Sequence, residues 1–338
     1  MKIYHDEDAD LSILKNKTIA VLGYGIQGSA QALCLKDSGL NVVVGARQGG
    51  ASWKRAKADG HKVMELWDAA KAADIICLLT PDMTQKDIYY KFVHQHLKDG
   101  ATLYFSHGLN ITFNQIKPPK NVDVIMVAPK APGLKLRETY QQGFGVPALL
   151  AIHQDFTGKA RKTGLALAKA MNFTKAGVFE CTFDQETVSY LFGEQVVLCG
   201  GSAELIKAAF ETLVEDGFPP ELAYFECLHE LKLILDLIYA GGIEYMWSRV
   251  SETARYGGRT RGKRVINKEV KARMKEVLEE IKNGTFAHEW ISEYNAGLPK
   301  FEIMKRMESQ HQVEKVGAEI RKLFDNPEQK KKKEKTEE

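Results

Sequence analysis

Val21-Leu22-Gly23-Tyr24-Gly25-Ile26-Gln27-Gly28 is the sharpest chemical signal in the sequence. It spaces three glycines as Gly-x-Gly-x-x-Gly, after the apolar run Thr18–Leu22 and before the helical pattern of Ser29–Ser38. A strand, a tight turn and a helix in that order bind dinucleotides. Gly23 permits the turn, Gly25 lets backbone approach a diphosphate, and Gly28 lets the helix pack close while its N-terminal N–H groups face the anion. The spacing therefore predicts a cofactor site at Gly23, Tyr24, Gly25, Ile26, Gln27 and Gly28. The bland competitor is a glycine-rich turn with no ligand. The end of the second strand selects the cofactor. NAD sites usually place Asp or Glu there, but Val44-Gly45-Ala46-Arg47-Gln48 has no acid. Arg47 offers a cationic fork for a 2′-phosphate, and Ser52 with Lys54 or Arg55 lies just beyond. The reading is NADPH over NADH; the alternative is a patch of solvated charge.

A second group of chemical residues is acidic. Glu194 sits in the helical run Leu191–Gln195, and Glu226 and Glu230 share a helix face in Glu226-Cys-Leu-His-Glu230. Their neighbours Ala223, Tyr224, Phe225, Leu228 and Leu231 are apolar. Like charges on such a face are costly unless neutralised, and hard oxygen donors suit Mg²⁺. A water-facing helix edge is the plainer explanation.

Two kinds of element must position these residues. Thr18–Leu22, Val42–Val44, Ile75–Leu79, Thr102–Phe105 and Val124–Val127 are buried-strand patterns, several separated by amphipathic segments such as Met64–Ala73. That alternation implies a doubly wound parallel sheet, an α/β Rossmann-like domain over residues 1–182, which Val146–Ile152 and Gly177–Phe183 would extend. Beyond it, Glu186–Leu198, Ser202–Asp216, Leu222–Tyr239, Ile243–Arg255 and Lys268–Asn283 read as helices without strands. An all-α domain is expected over 183–328, then a disordered Lys-rich tail over 329–338. At 338 residues, two domains of about 150 residues each are the natural division.

Composition narrows the class. Charged residues make up 27% and hydrophobic residues 44%, and the net charge is only +3, so a basic nucleic-acid-binding body is not expected. No apolar run approaches the ~20 residues that span a bilayer, and the polar start Met1–Glu7 is no signal peptide. Cys34, Cys77, Cys181, Cys199 and Cys227 are scattered and mostly within apolar runs. They read as reduced, buried thiols of a cytoplasmic protein.

Together the motifs resemble ketol-acid reductoisomerase in its short, class I form. The likeness runs from Lys17 to about Phe324. It is carried by Gly23–Gly28, Phe105-Ser-His-Gly108, Val127-Ala-Pro-Lys130, Leu191–Gln195, Leu198-Cys-Gly-Gly201, Glu226–Leu233, Asp236–Tyr239, Ser251–Ala254, Thr260–Ile266 and Glu314–Gly317. The resemblance implies a Mg²⁺-dependent alkyl migration in a 2-acetohydroxy acid (2-acetolactate or 2-aceto-2-hydroxybutyrate). NADPH reduction to a 2,3-dihydroxy acid of valine and isoleucine biosynthesis follows. It places Glu194, Glu226 and Glu230 at metal-ligand positions for two ions, and Ser251 at a substrate-carboxylate contact. His107, Lys130 and Glu230 take catalytic positions, and Arg47 and Ser52 hold the 2′-phosphate. It also implies a knotted helical domain and a homodimer or larger homo-oligomer. The active site is then shared between subunits, Glu226 and Glu230 reaching the partner's site.

The chain departs from the family pattern where chemistry is concentrated. Tyr190 precedes Leu191-Phe-Gly-Glu-Gln195 where the family has a metal-binding Asp. A phenol titrates near ~10 and is neutral at pH 7. Glu186, four residues earlier, shares that helix face, but one turn rises ~5.4 Å, too far for easy replacement. Ala131, Leu134, Ala240, the Gly258-Arg259 pair and Ile26 also differ from the pattern. These departures set the family reaction against two alternatives: a reductase that skips the migration, and a non-catalytic NADPH-binding paralogue.

Overall fold

All seven apolar runs expected as strands enter one nine-stranded sheet. Its strands are β1 (Ile3–Tyr4), β2 (Thr18–Leu22), β3 (Asn41–Gly45), β4 (Lys62–Met64), β5 (Ile75–Leu78), β6 (Thr102–Phe105), β7 (Asp123–Pro129), β8 (Ala148–Gln154) and β9 (Val178–Cys181). The order is β1-β9-β8-β7-β6-β5-β2-β3-β4. The computed structural model of the chain describes residues 1–324, and the tail expected at 329–338 lies outside the described residues. The chain forms two compact units, Met1–Tyr190 and the residues from Leu191 onward.

In the first unit the central strands β2, β5, β6 and β7 are buried along nearly their whole length. Alternate residues serve opposite faces. Ile19, Val21, Ile75, Cys77, Tyr104 and Val127 join one core, while Ala20, Leu22, Ile76, Leu78, Leu103 and Phe105 join the other. Burial on both faces explains why these strands read as continuous apolar runs. Helix α1 (Ile26–Asp37) covers the first core through Ala30, Ala32, Cys34 and Leu35. Two more helices follow, α2 (Ala51–Ala58) and α3 (Leu66–Ala72), and α3 packs Ala69 and Ala70 into the second core.

Three details differ from expectation. The sheet is mixed, because β7·β8 and β1·β9 pair antiparallel. After β7 the chain makes a helical excursion, Gly133–Gln141, and returns to the end it left: Lys130 N–H donates to Pro147 O at 2.8 Å. The returning strand must therefore run backwards. Two strands, β1 and β4, escape the apolar pattern because they are short edges with little to bury. Finally, Cys34, Cys77 and Cys181 are buried as expected, but Cys227 is half-buried and Cys199 exposed. Burial pushes the Cys34 and Cys181 thiols up to about 11.

The second unit is helical throughout its described residues. Lys268–Lys282 ends one residue before its expected span does, and Gly200–Glu215 starts two residues before its expected one. Elsewhere the expected long helices are interrupted. Wide i→i+5 turns occupy Glu194–Leu198 and Phe225–His229, and Gly242, at φ 86°, breaks the run Glu230–Arg249. Helices Thr285–Asn295, Pro299–Ser309 and Gln312–Phe324 follow. A small core gathers Phe210, Ala223, Tyr224, Val313 and Ile320. No helix among the described residues is long and apolar enough to cross a membrane.

Candidate active site

Strands β2, β5, β6 and β7 are parallel neighbours, so their C-terminal ends share one edge of the sheet. The residues just past those ends are Gly23, Thr80, His107 and Lys130. From β2 the chain first builds β3 and β4 on one side and then crosses to β5 on the other. Ligands of open α/β sheets bind at such a switch point, beyond the carboxyl ends of the strands.

The glycine loop is shaped by contact rather than composition. Gly23 has φ 97°, and a Cβ there would lie 2.7–2.9 Å from the Leu79–Thr80 segment at the end of β5. A Cβ on Gly28 would lie 2.1 Å from the Gly23 carbonyl oxygen. Gly25 is different: a Cβ would meet nothing within 4 Å. Gly25 caps α1, whose first described backbone bond here is Ser29 N–H to Gly25 O at 3.0 Å. The N–H groups of Ile26, Gln27 and Gly28 therefore precede the helical ladder. Beside them the buried Thr80 hydroxyl has no hydrogen-bond partner among the described residues. An open glycine, a helix N-terminus and an orphaned hydroxyl at one switch point fit a dinucleotide.

Other predicted cofactor residues fall into two groups. Tyr24 and Gln27 use their side chains on the protein. Tyr24 is buried and donates its hydroxyl to Asp59 at 2.7 Å, and Gln27 Nε2 donates to Ala131 O at 3.0 Å. Arg55 and Ser52 donate to the Tyr24 carbonyl at 2.9 and 3.5 Å, which ties α2 to the loop. Ile26 and Arg47 are exposed.

The chemical centre of this unit is a cluster the sequence showed only in pieces. Glu186, 1% exposed, accepts from His107 Nδ1 at 3.1 Å, from Gly108 N–H at 3.2 Å and from Lys130 Nζ at 3.3 Å. Burial alone would raise its pKa. The His107 hydrogen bond and charge, then the Lys130 charge and the Gly108 N–H, outweigh burial and hold the carboxyl below its ordinary range. Tyr190 closes the group: its ring centroid lies 5.1 Å from that of His107 and 4.9 Å from Lys130 Nζ. Nearby Asp82, facing the charges of His107 and Glu186, is pushed up by burial. Glu186 is thus engaged with His107 and Lys130, which argues against its use as a replacement metal ligand. Asp82 was missed, because only the fold brings the segment after β5 beside the one after β6.

In the second unit, Glu194 opens one wide turn and is half-buried; Glu226 lies in the other and Glu230 directly follows it, both exposed. Wide turns inside helices recur at functional sites. Ser251 is exposed and caps Glu252–Val265 by accepting from Ala254 N–H at 3.1 Å. No group of three or more His, Cys, Asp or Glu able to hold a metal occurs among the described residues.

Residues 13–177 match the family model described as acetohydroxy acid isomeroreductase, NADPH-binding domain. Residues 183–326 match ketol-acid reductoisomerase, C-terminal domain. The chain is 56% identical over 323 residues to a ketol-acid reductoisomerase (NADP(+)) of Methanocaldococcus jannaschii, covering 96% of this chain and 98% of that one. It is 55% identical over 329 residues to a ketol-acid reductoisomerase (NAD(+)) of the uncultured archaeon GZfos26G2, covering 96% and 99%. Among solved structures, an NADH-preferring ketol-acid reductoisomerase from an uncultured archean superposes with a TM-score of 0.92 at 54% identity, covering 96% of this chain and all of that one.

Proposed function

The chain belongs to the ketol-acid reductoisomerase family, and from that premise we propose that it converts 2-acetohydroxy acids to 2,3-dihydroxy acids. Alkyl migration comes first and reduction by a nicotinamide dinucleotide second, in branched-chain amino-acid synthesis. One observation carries the reading. The glycine loop, Thr80, His107 and Lys130 line up past the ends of four parallel neighbouring strands, where a cofactor and a small acid would meet.

We propose NADPH as the cofactor. The Gly23–Gly28 loop and the first turn of α1 hold the diphosphate, while Arg47 and Ser52 face the 2′-phosphate. His107 and Lys130 orient the substrate's oxygens. Glu186 keeps both groups in place and fixes which His107 nitrogen faces outward. Tyr190 screens the pair from water on one side.

Glu194, Glu226 and Glu230 offer hard carboxylate oxygens, a donor set that fits Mg²⁺. Bound Mg²⁺ would supply Lewis-acid polarisation of the substrate oxygens during migration. One chain brings no three such groups together among its described residues, so we propose that a second copy completes the site, with Glu230 also acting as a catalytic carboxylate. Ser251, whose hydroxyl hydrogen remains available to donate, contacts the substrate carboxylate. We propose a cytoplasmic location, which the free cysteines support.

The test is NADPH oxidation by the full chain with 2-acetolactate, with and without Mg²⁺, beside a Tyr190→Asp variant. Mg²⁺-dependent turnover by the unmodified chain is the expected result. Turnover of the 2-keto acid alone would overturn the migration step. Activity confined to the variant would show a scaffold silenced at Tyr190.

A further inference from the structure

The loop after β3 contains no acid, yet the fold delivers one to it. Glu65 is half-buried between β4 and α3, and its Oε1 accepts the Gln48 backbone N–H at 3.0 Å. The register explains the meeting. β4 runs parallel to β3 with Met64 opposite Gly45, and Ala46 N–H donates to Met64 O at 3.0 Å. The residue after Met64 must then lie against the residues after Ala46. That short segment carries the exposed Arg47, assigned above to the cofactor's 2′-phosphate.

We infer that Glu65 is a specificity-determining residue, one that lowers the preference for a 2′-phosphorylated cofactor and keeps the site open to the unphosphorylated one. The inference rests on the reading of Gly23–Gly28 as a nicotinamide dinucleotide site. Two effects act together. Glu65 occupies the Gln48 N–H, a backbone donor that a 2′-phosphate would otherwise engage. Its negative charge also repels that phosphate at short range, where solvent screening is incomplete. A ribose 2′-hydroxyl, by contrast, can donate to a carboxylate. Arg47 and Glu65 therefore pull the same loop toward opposite cofactors.

The experiment is fluorescence titration of NADPH and of NADH into the full chain and into Glu65→Gln and Glu65→Ala variants, at low and high salt. Glu65→Gln keeps an acceptor for the Gln48 N–H and removes only the charge. It should raise the NADPH-to-NADH affinity ratio on the order of ten-fold, and the gain should shrink at high salt. An unchanged ratio in Glu65→Gln, with Glu65→Ala weakening both cofactors equally, would mean that Glu65 merely shapes the loop and would overturn the inference alone. Failure of the unmodified chain to bind either cofactor would overturn the dinucleotide-site reading, and the inference with it.

Discussion

Glu186 shows how one buried charge organises a site. A carboxylate at 1% exposure is tolerable here because three donors surround it. Its folded-state pKa lies below the ordinary 4.5. The stability it adds is therefore fully present above that value and is lost as pH falls through the lower, folded-state value. Urea midpoints measured across the acid range should fall more steeply for the unmodified chain than for Glu186→Gln. At neutral pH the variant should be less stable by roughly 1–3 kcal/mol, since a neutral amide leaves the His107 and Lys130 donors poorly matched. Equal acid slopes in the two proteins would remove Glu186 from the account. Tyr190 belongs to the same scale. The sequence marks it as a departure from the family, and only the tertiary structure sets its ring against His107 and Lys130.

The strand–loop–helix element from Thr18 to Asp37 separates folding from binding glycine by glycine. A methyl at Gly28 would sit 2.1 Å from the Gly23 oxygen, whereas one at Gly25 meets no atom within 4 Å. Gly28→Ala should cost on the order of 2–4 kcal/mol, visible as a lowered melting temperature, because the loop backbone must move to admit the methyl. Gly25→Ala should melt near the unmodified chain yet bind NADPH at least about ten-fold more weakly, because the methyl fills space the diphosphate needs. Comparable melting of Gly28→Ala and the unmodified chain would refute the packing argument. The helices of the second unit carry a related lesson. The 3.6-residue periodicity of Glu186–Leu198 and Leu222–Tyr239 was legible, but the wide turns at Glu194–Leu198 and Phe225–His229 were not. One extra residue in a turn leaves the apolar pattern almost intact, so periodicity alone does not register it.

At the scale of the whole molecule, the second unit exposes more apolar surface than its small core can account for. Leu198, Leu233, Leu235, Tyr239 and Ile243 are each more than half exposed, Tyr239 at 93%. Exposed apolar side chains of this size would be covered in an interface with a second copy. They support the proposed homo-oligomer. Sedimentation equilibrium should give at least a dimer. Leu233→Glu should shift the protein toward monomer and abolish Mg²⁺-dependent turnover, while NADPH titration changes little, because the glycine loop lies in the other unit. A monomeric unmodified chain with full turnover would overturn the shared site.

Residue order alone settled the periodic features: seven of the strands, the Gly23–Gly28 loop between a strand and a helix, and a helical second half. Each follows from local rules, since a strand buried on both faces must be apolar throughout and a diphosphate loop needs glycine where backbone turns tightly or comes close. The two edge strands were invisible for the same reason, having too little to bury. Three decisions waited for the tertiary structure: the reversal of β8, the convergence of Asp82, His107, Lys130, Glu186 and Tyr190, and the approach of Glu65 to the loop after β3. All three depend on which strands become neighbours and in what register. Sheet pairing joins residues far apart in the chain through backbone hydrogen bonds that carry no sequence signature of their own, so those contacts exist only once the sheet has formed.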